Sequence, residues 1–224
     1  MFRKQGVIPY AIVFFSAWCL AILFVKSRKL AFQKKSLSFD VIPEDVDFVL
    51  TAANVDIVLD RVYEIADEPR NFVLFNRIYV ALANLRNLGR VGDVGEILRS
   101  QAENDESAVE TSYSLLAGFI WAIPVLGFIG TVMGLSDAIG GFGSVLEQTD
   151  EIEEIKGALT KVTGGLSTAF VTTLQALVAA LCIQLLLTFV KKSEQQFLDD
   201  CSQYCTDQVV NHLRIMPFER LNQE

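Results

Sequence analysis

Residues Pro124–Gly141 read PVLGFIGTVMGLSDAIGG. The stretch is apolar enough to lie inside a membrane, yet it carries Gly127, Gly130 and Gly134, with the hydroxyl of Thr131 beside Gly130. A glycine in a helix interior costs about 1 kcal/mol relative to alanine, so this many in one spanning helix need a physical reason. Their spacing supplies one. Gly127, Gly130, Thr131 and Gly134 fall at i, i+3, i+4 and i+7, which is a single helix face. Stripping that face of side chains lets a neighbouring helix approach closely, and small residues are what helices use to associate in lipid. Thr131 is then the one polar group on a stripped surface; Ser136 points elsewhere. Pro124 removes a backbone donor, which predicts a kink and a freed carbonyl.

The remainder of the 224-residue chain fits a membrane protein. Half of it is hydrophobic, 51%, and the mean hydropathy is +0.36, high for a soluble domain. The net charge of −8 argues against nucleic acid, which selects basic surfaces. Three apolar runs are long enough to span, about 20 residues being required: Val7–Val25, Leu115–Ile139 and Val162–Val190. The fold class expected is therefore all-α, with three transmembrane helices. The first run is longer than the apolar core of a signal peptide and no A-x-A-like site follows it, so it reads as an uncleaved anchor.

Lysine and arginine bias sets the orientation. Lys26, Arg28, Lys29, Lys34 and Lys35 follow the first run, against Arg3 and Lys4 before it, and Lys191 and Lys192 follow the third. The loop between the second and third runs holds Glu147, Asp150, Glu151, Glu153 and Glu154. These signals agree on an external N-terminus (1–6), a cytoplasmic helical region (26–114), a short acidic external loop (140–161) and a cytoplasmic helical tail (191–224), with spans at 7–25, 115–139 and 162–190.

Within the cytoplasmic region, Phe72, Phe75, Ile78, Tyr79, Leu82 and Leu85 recur at helical spacing. Gly89 and Gly92 mark a break, and Asn104 or Asp105 is expected to cap the helix that enters the second span. The third run would extend about 43 Å as a helix, more than a hydrocarbon core of about 30 Å. It and the second run should therefore continue out of the membrane as long helices. In the tail, Cys201 and Cys205 stack one turn apart, and no nearby histidine completes a metal site. The tail reads as helical to about Arg214.

The third span, GLSTAFVTTLQALVAALCIQ, is two-sided. Stepped at about 100° per residue, Thr168, Ala169, Thr172, Gln175, Ala176 and Ala179 share one arc, with Thr173 and Ala180 just beyond it. Phe170, Val171, Leu174, Leu177, Val178 and Leu181 fill the remainder, and Ile183 breaks the division. The small and polar arc should face other helices or a central pathway. The plainer alternative is that these threonines only bond carbonyls one turn back. No span carries an Asp, Glu, Lys, Arg or His in its central part. A chain that moves protons needs a titratable carrier at membrane depth, so any carrier must come from a partner.

PVLGFIGTVMGL, followed by GGLSTAFVTTLQALVAAL, resembles the MotA/TolQ/ExbB proton-channel family, and the layout of three spans resembles its TolQ and ExbB branch. The resemblance covers roughly residues 70–190. It implies a pentamer in a bacterial inner membrane, N-terminus periplasmic and C-terminus cytoplasmic. The ring encloses a single-span partner similar to ExbD, TolR or MotB. That partner's aspartate carries the ion, and its passage drives rotation of one subunit type against the other. The family's threonines match Thr131 and Thr173, with Thr172 alongside. Ion-path residues are thus expected at Thr131, Thr173, Thr172, Thr168 and Gln175, and a packing or pore face at Pro124, Gly127, Gly130, Gly134, Ala169, Ala176 and Ala180. Where TolQ and ExbB carry a glutamate this chain has Thr168, which leaves sodium open beside protons, since hydroxyl and carbonyl oxygens suit a hard cation. A passive oligomeric scaffold is the alternative, and an independent small-solute carrier a poorer one. No nucleophile–base set, metal cluster or phosphate loop marks an enzyme, and no cofactor is called for. Membrane lipid is the surrounding partner.

Overall fold

The computed structural model describes residues 7–42, 49–88, 90–148 and 152–213. The expectations resting on Arg3, Lys4, Gly89, Asp150, Glu151 and Arg214 lie outside these residues, as does residue 149 in the loop. The protein is all-α: α1 (Ile8–Gln33), α2 (Val55–Ile65), α3 (Val73–Leu88), α4 (Gly92–Gln148) and α5 (Ile152–Tyr204). Short 3₁₀ turns at Lys34–Ser38 and Pro69–Asn71 link the first three helices. A π turn, Cys205–Val209, and a 3₁₀ turn, Val210–His212, finish α5. The described residues hold one isolated bridge, Leu50 with Leu213. Three helices, α1, α4 and α5, are long and apolar enough to cross a membrane.

The chain divides into two compact units. Unit 1 comprises Met1–Val25 and Tyr113–Val190; unit 2 comprises Lys26–Ser112 and Lys191–Glu224. Both α4 and α5 contribute to each unit as unbroken helices. Pro124 lies inside α4 without ending it. A proline in a helix interior forfeits one bond, a cost the neighbouring turns of a 57-residue helix absorb.

In unit 1, the buried residues of α4 are Tyr113, Leu116, Ile120, Ile123 and Gly127, alternating three and four apart. The bulky side chains are turned outward: Trp121 is 73% exposed, Phe128 64%, Phe170 60% and Leu174 62%. A soluble helix with that surface would aggregate, whereas one in lipid is solvated by it. α1 runs antiparallel to α4, because Ile8 lies against Gly130 while Phe15 stacks on Phe119 at 5.6 Å.

Unit 2 has an ordinary aqueous-type core. Leu74, Phe75, Ile78, Ala81, Leu82 and Leu85 of α3 pack with Val55, Val58 and Val62 of α2, Val94 and Leu98 of α4, and Phe197, Leu198, Cys201 and Cys205. The expected Phe75, Ile78, Leu82 and Leu85 are in it; Phe72 and Tyr79 pack against its edge. The expected cap at Asn104 or Asp105 is corrected: α4 begins at Gly92, so both residues are mid-helix. Asp105 instead pairs with Arg77, its Oδ2 accepting from Nε at 2.6 Å. Arg77 is 1% exposed. Its Nη1 donates to Ser202 Oγ at 2.8 Å and to the Leu198 carbonyl at 3.4 Å, while Nη2 is buried with no partner among the described residues. Lysines knit the helices of this unit: Lys191 meets Glu110 at 2.7 Å, Lys34 meets Ser193 at 3.0 Å, and Lys26 meets Ser112 at 2.7 Å.

Candidate functional site

The residues singled out in the second and third spans meet in unit 1, where α4 and α5 run antiparallel. Gly127 lies against Ala176, Gly134 against Ala169, and Ala138 against Gly165. As the number rises on one helix it falls on the other, which is the signature of an antiparallel seam. The approach is close enough to dictate residue type. A Cβ on Gly127 would fall 2.6 Å from the Ala176 Cβ and 3.3 Å from the Thr173 Cα. One on Gly165 would fall 3.0 Å from the Ala138 Cβ. Gly130 faces differently: its added Cβ would meet Ile8 Cγ2 of α1 at 3.1 Å and Thr172 Cγ2 at 3.5 Å. The small residues thus admit two helices, not one.

Hydroxyls sit in the middle of this seam. Thr131 Oγ1 and Thr173 Oγ1 are hydrogen-bonded to each other across the two helices. Thr131 Oγ1 lies 3.1 Å from the Gly127 carbonyl and 3.4 Å from that of Ala169. Thr173 Oγ1 donates to the same Gly127 carbonyl at 2.9 Å. Two hydroxyls and two carbonyl oxygens are therefore gathered at one point. Each hydroxyl has one proton and two acceptor lone pairs, so the cluster satisfies its own donors and keeps spare acceptor capacity. Both threonines are half-buried.

The other expected ion-path residues are arranged otherwise. Thr172 is buried, and its hydroxyl donates to the Thr168 carbonyl at 3.0 Å, one turn back. Thr168 is half-buried and contributes that carbonyl. Gln175 is exposed in unit 1, lining a groove of about 360 Å³ with Pro9, Ile12 and Ser16 of α1. Ser16 Oγ is buried with no partner among the described residues. Ala169, Ala176 and Ala180 are all buried. Ile183, which the wheel treated as an exception, continues their line with Leu187, both buried. Shape complementarity to α5's neighbours, rather than small size alone, selects that line. The glycine at 165 and its partner Ala138 are additional members of the seam, legible only once the register of the two helices is known.

Electrostatically the site is bare. No Asp, Glu, Lys, Arg or His lies between Leu115 and Ser136 or between Val162 and Val190. Asp137 and Lys161 are exposed. Among the described residues no cluster of His, Cys, Asp and Glu suits a metal. Outside the spans, burial pushes the Cys201 thiol up to about 12 and the Cys205 thiol up to about 11, so both are neutral at physiological pH. Such a site can accept a hydrogen bond, coordinate a small cation or receive a protonated acid; it has no group of its own to carry a proton.

The family profile described as the MotA/TolQ/ExbB proton channel family matches residues 76–203. That range takes in α4 and α5 through the hydroxyl seam. Neither the comparison with characterised proteins nor that with solved structures finds a match.

Proposed function

Given that the chain belongs to the MotA/TolQ/ExbB proton channel family, a multi-pass membrane family of ion-channel components, we propose that it is the ring-forming subunit of an ion-driven rotary motor. Five copies enclose a single-span partner, similar to ExbD, TolR or MotB, whose membrane helix supplies the ion-carrying aspartate. The assembly resides in a bacterial inner membrane, with the N-terminus outside and the tail in the cytoplasm. It converts ion-motive force into mechanical work and is not an enzyme.

The observation that supports this reading most is the hydroxyl pair Thr131–Thr173, set on close-packed small residues in a span free of ionisable side chains. A partner carboxylate, when protonated, is neutral and passes an apolar surface. When ionised, it seeks hydroxyl donors, and Thr131 and Thr173 can turn their protons to it by releasing the bonds they make to each other and to the Gly127 carbonyl. One elementary charge crossing 100 mV releases about 2.3 kcal/mol, several times thermal energy, enough to bias a step between near-equivalent positions. Thr168 and Thr172 flank the pair, the Thr172 hydroxyl being spent on the Thr168 carbonyl, and Gln175 opens on the groove against α1; Pro124, Gly127, Gly130, Gly134, Ala169, Ala176 and Ala180 form the packing face of the proposed path.

A second ion is favoured by a specific feature. The oxygens of Thr131, Thr173, Gly127 and Ala169 together resemble the ligand set of a hard cation, so sodium is the alternative to the proton. Proteoliposomes holding the chain with its partner decide between them. Flux that follows a pH gradient and ignores replacement of sodium by choline supports the proton; the reverse supports sodium. No flux under either gradient overturns the motor reading in favour of a passive oligomeric scaffold.

A further inference from the structure

Unit 2 contains a cavity of about 470 Å³ that the motor reading does not use, a size usual for a small-ligand pocket. Its place along the chain is distinctive. Lys26 and Ser112 both line it, and they are the residues at which α1 and α4 leave unit 2 for the apolar unit 1. Glu194 lines it too, one turn beyond the Val190 that ends the third apolar run. Lys26 ties these ends together: it donates to Ser112 Oγ at 2.7 Å and lies 3.6 Å from the Glu194 carboxylate. Where α1, α4 and α5 cross a membrane, residues this close to the apolar runs lie at headgroup depth.

The charges of the lining do not cancel. It holds Lys26, Lys29 and Arg70 with Asp105 and Glu194. Glu194 is paired with Lys26, and Asp105 with Arg77, so neither carboxylate is free to repel an anion, and Lys29 and Arg70 are left over. Lys29 is exposed and has no hydrogen-bond or ion-pair partner among the described residues. Arg70 is also exposed and has no carboxylate partner among them. Its guanidinium lies 5.6 Å over the Tyr79 ring and shares one hydrogen bond with that phenol. Stacking engages the face of the fork, so most of its five N–H donors stay open at the edge. Asn76 adds a side-chain amide with no partner among the described residues. Leu30, Val73, Val109, Phe197 and Leu198 make much of the remaining wall apolar.

The geometry points to this cavity as a binding site for the headgroup of an anionic phospholipid. Lys29, Arg70 and the Asn76 amide hold the phosphodiester, and its glycerol and first acyl carbons lie against Leu30 and Val109. A phosphodiester shares one negative charge between two oxygens, and a guanidinium fork with an ammonium suits that geometry. Basic pockets beside membrane helices take lipid headgroups by the same chemistry. The site rests on the membrane reading of the chain alone and stands whichever ion the threonine path carries.

The test is calorimetric binding of dioctanoyl phosphatidylglycerol, below its own micelle concentration, to the purified full-length chain in neutral detergent. The expected result is saturable binding at one site per chain. Lys29→Gln weakens it about tenfold, the loss of one charge-assisted contact, and Arg70→Gln does the same. Lys192→Gln removes an exposed charge beside the third apolar run but outside the cavity, and should bind as wild type does. Lys29 has no partner to lose, so Lys29→Gln should keep the wild-type melting temperature to within a few degrees. Dioctanoyl phosphatidylcholine should bind poorly, and inorganic phosphate should not displace the lipid. No saturable binding, or undiminished binding by Lys29→Gln, overturns the proposal. Equal losses in Lys29→Gln and Lys192→Gln overturn it in favour of general surface charge. Phosphatidylcholine binding as tightly overturns the anionic class, and displacement by inorganic phosphate overturns a lipid in favour of a soluble anion.

Discussion

Thr131 on α4 and Thr173 on α5 bond each other across the seam, and both hydroxyl oxygens lie beside one carbonyl oxygen, that of Gly127, at 3.1 and 2.9 Å. This arrangement couples packing to chemistry. The glycine that lets the helices approach is also the residue whose carbonyl anchors both hydroxyls. A side chain at position 127 would move both at once.

Replacing either threonine by valine removes a hydroxyl while keeping the shape. Interhelical hydrogen bonds in membranes are worth about 0.6 kcal/mol on average, so Thr131→Val and Thr173→Val should assemble normally. Ion flux with the partner present should fall at least tenfold. Size-exclusion profiles and flux assays read the two effects separately.

Gly127 should be intolerant for a steric reason. Gly127→Ala brings its Cβ against Ala176 and should lower the melting temperature in detergent, although alanine is the better helix former. Ala176→Gly removes the opposing methyl and should recover much of the loss. Gly118→Ala, where an added Cβ meets nothing within 4 Å, should be neutral or mildly stabilising. A Gly127→Ala variant as stable as Gly118→Ala would contradict the close seam.

Asp105→Ala should destabilise unit 2 strongly. Arg77 is buried, and breaking such a pair from one side costs about 3–5 kcal/mol, because the remaining charge is left uncompensated. Hydrogen exchange of α3 and of residues 92–112 should accelerate, while Glu103→Ala, which breaks an exposed pair, should change little.

Cys201 and Cys205 should be chemically quiet. Burial raises their thiols to about 12 and about 11 from an ordinary value of 9.0, which lowers the thiolate fraction at neutral pH by about a hundredfold or more. Alkylation of the native chain at pH 7.5 should spare both, and both should react after denaturation. The stability consequence has a definite sign. The folded state holds these protons more tightly than the unfolded state, so stability is unaffected below about pH 9 and falls between pH 9 and about pH 12 as the unfolded thiols ionise first.

Much of this was legible in the sequence, for identifiable reasons. The face made by Gly127, Gly130, Thr131 and Gly134 stands out because helical periodicity and residue size vary together there. Thr173 stands at the edge of the small arc of the wheel, and only the family resemblance pairs it with Thr131. Its contact with Thr131 depends on the register of α4 against α5, which no single-helix pattern contains. The same holds for Gly165 opposite Ala138. Asn104 and Asp105 look like caps in the sequence, whereas α4 starts at Gly92 and the Asp105 carboxylate is consumed by Arg77. That arginine carries no local mark: one cation on an amphipathic helix reads as solvent-facing until the packing of three helices shows it buried.

The most direct measurement is ion flux in proteoliposomes containing the chain with and without the proposed single-span partner, repeated with the Thr131→Val/Thr173→Val double variant. Flux is expected only with the partner present, and should be lost in the double variant although the complex still forms. Flux through the chain alone, or undiminished flux through the double variant, would contradict a hydroxyl-lined path that waits for a partner's acid.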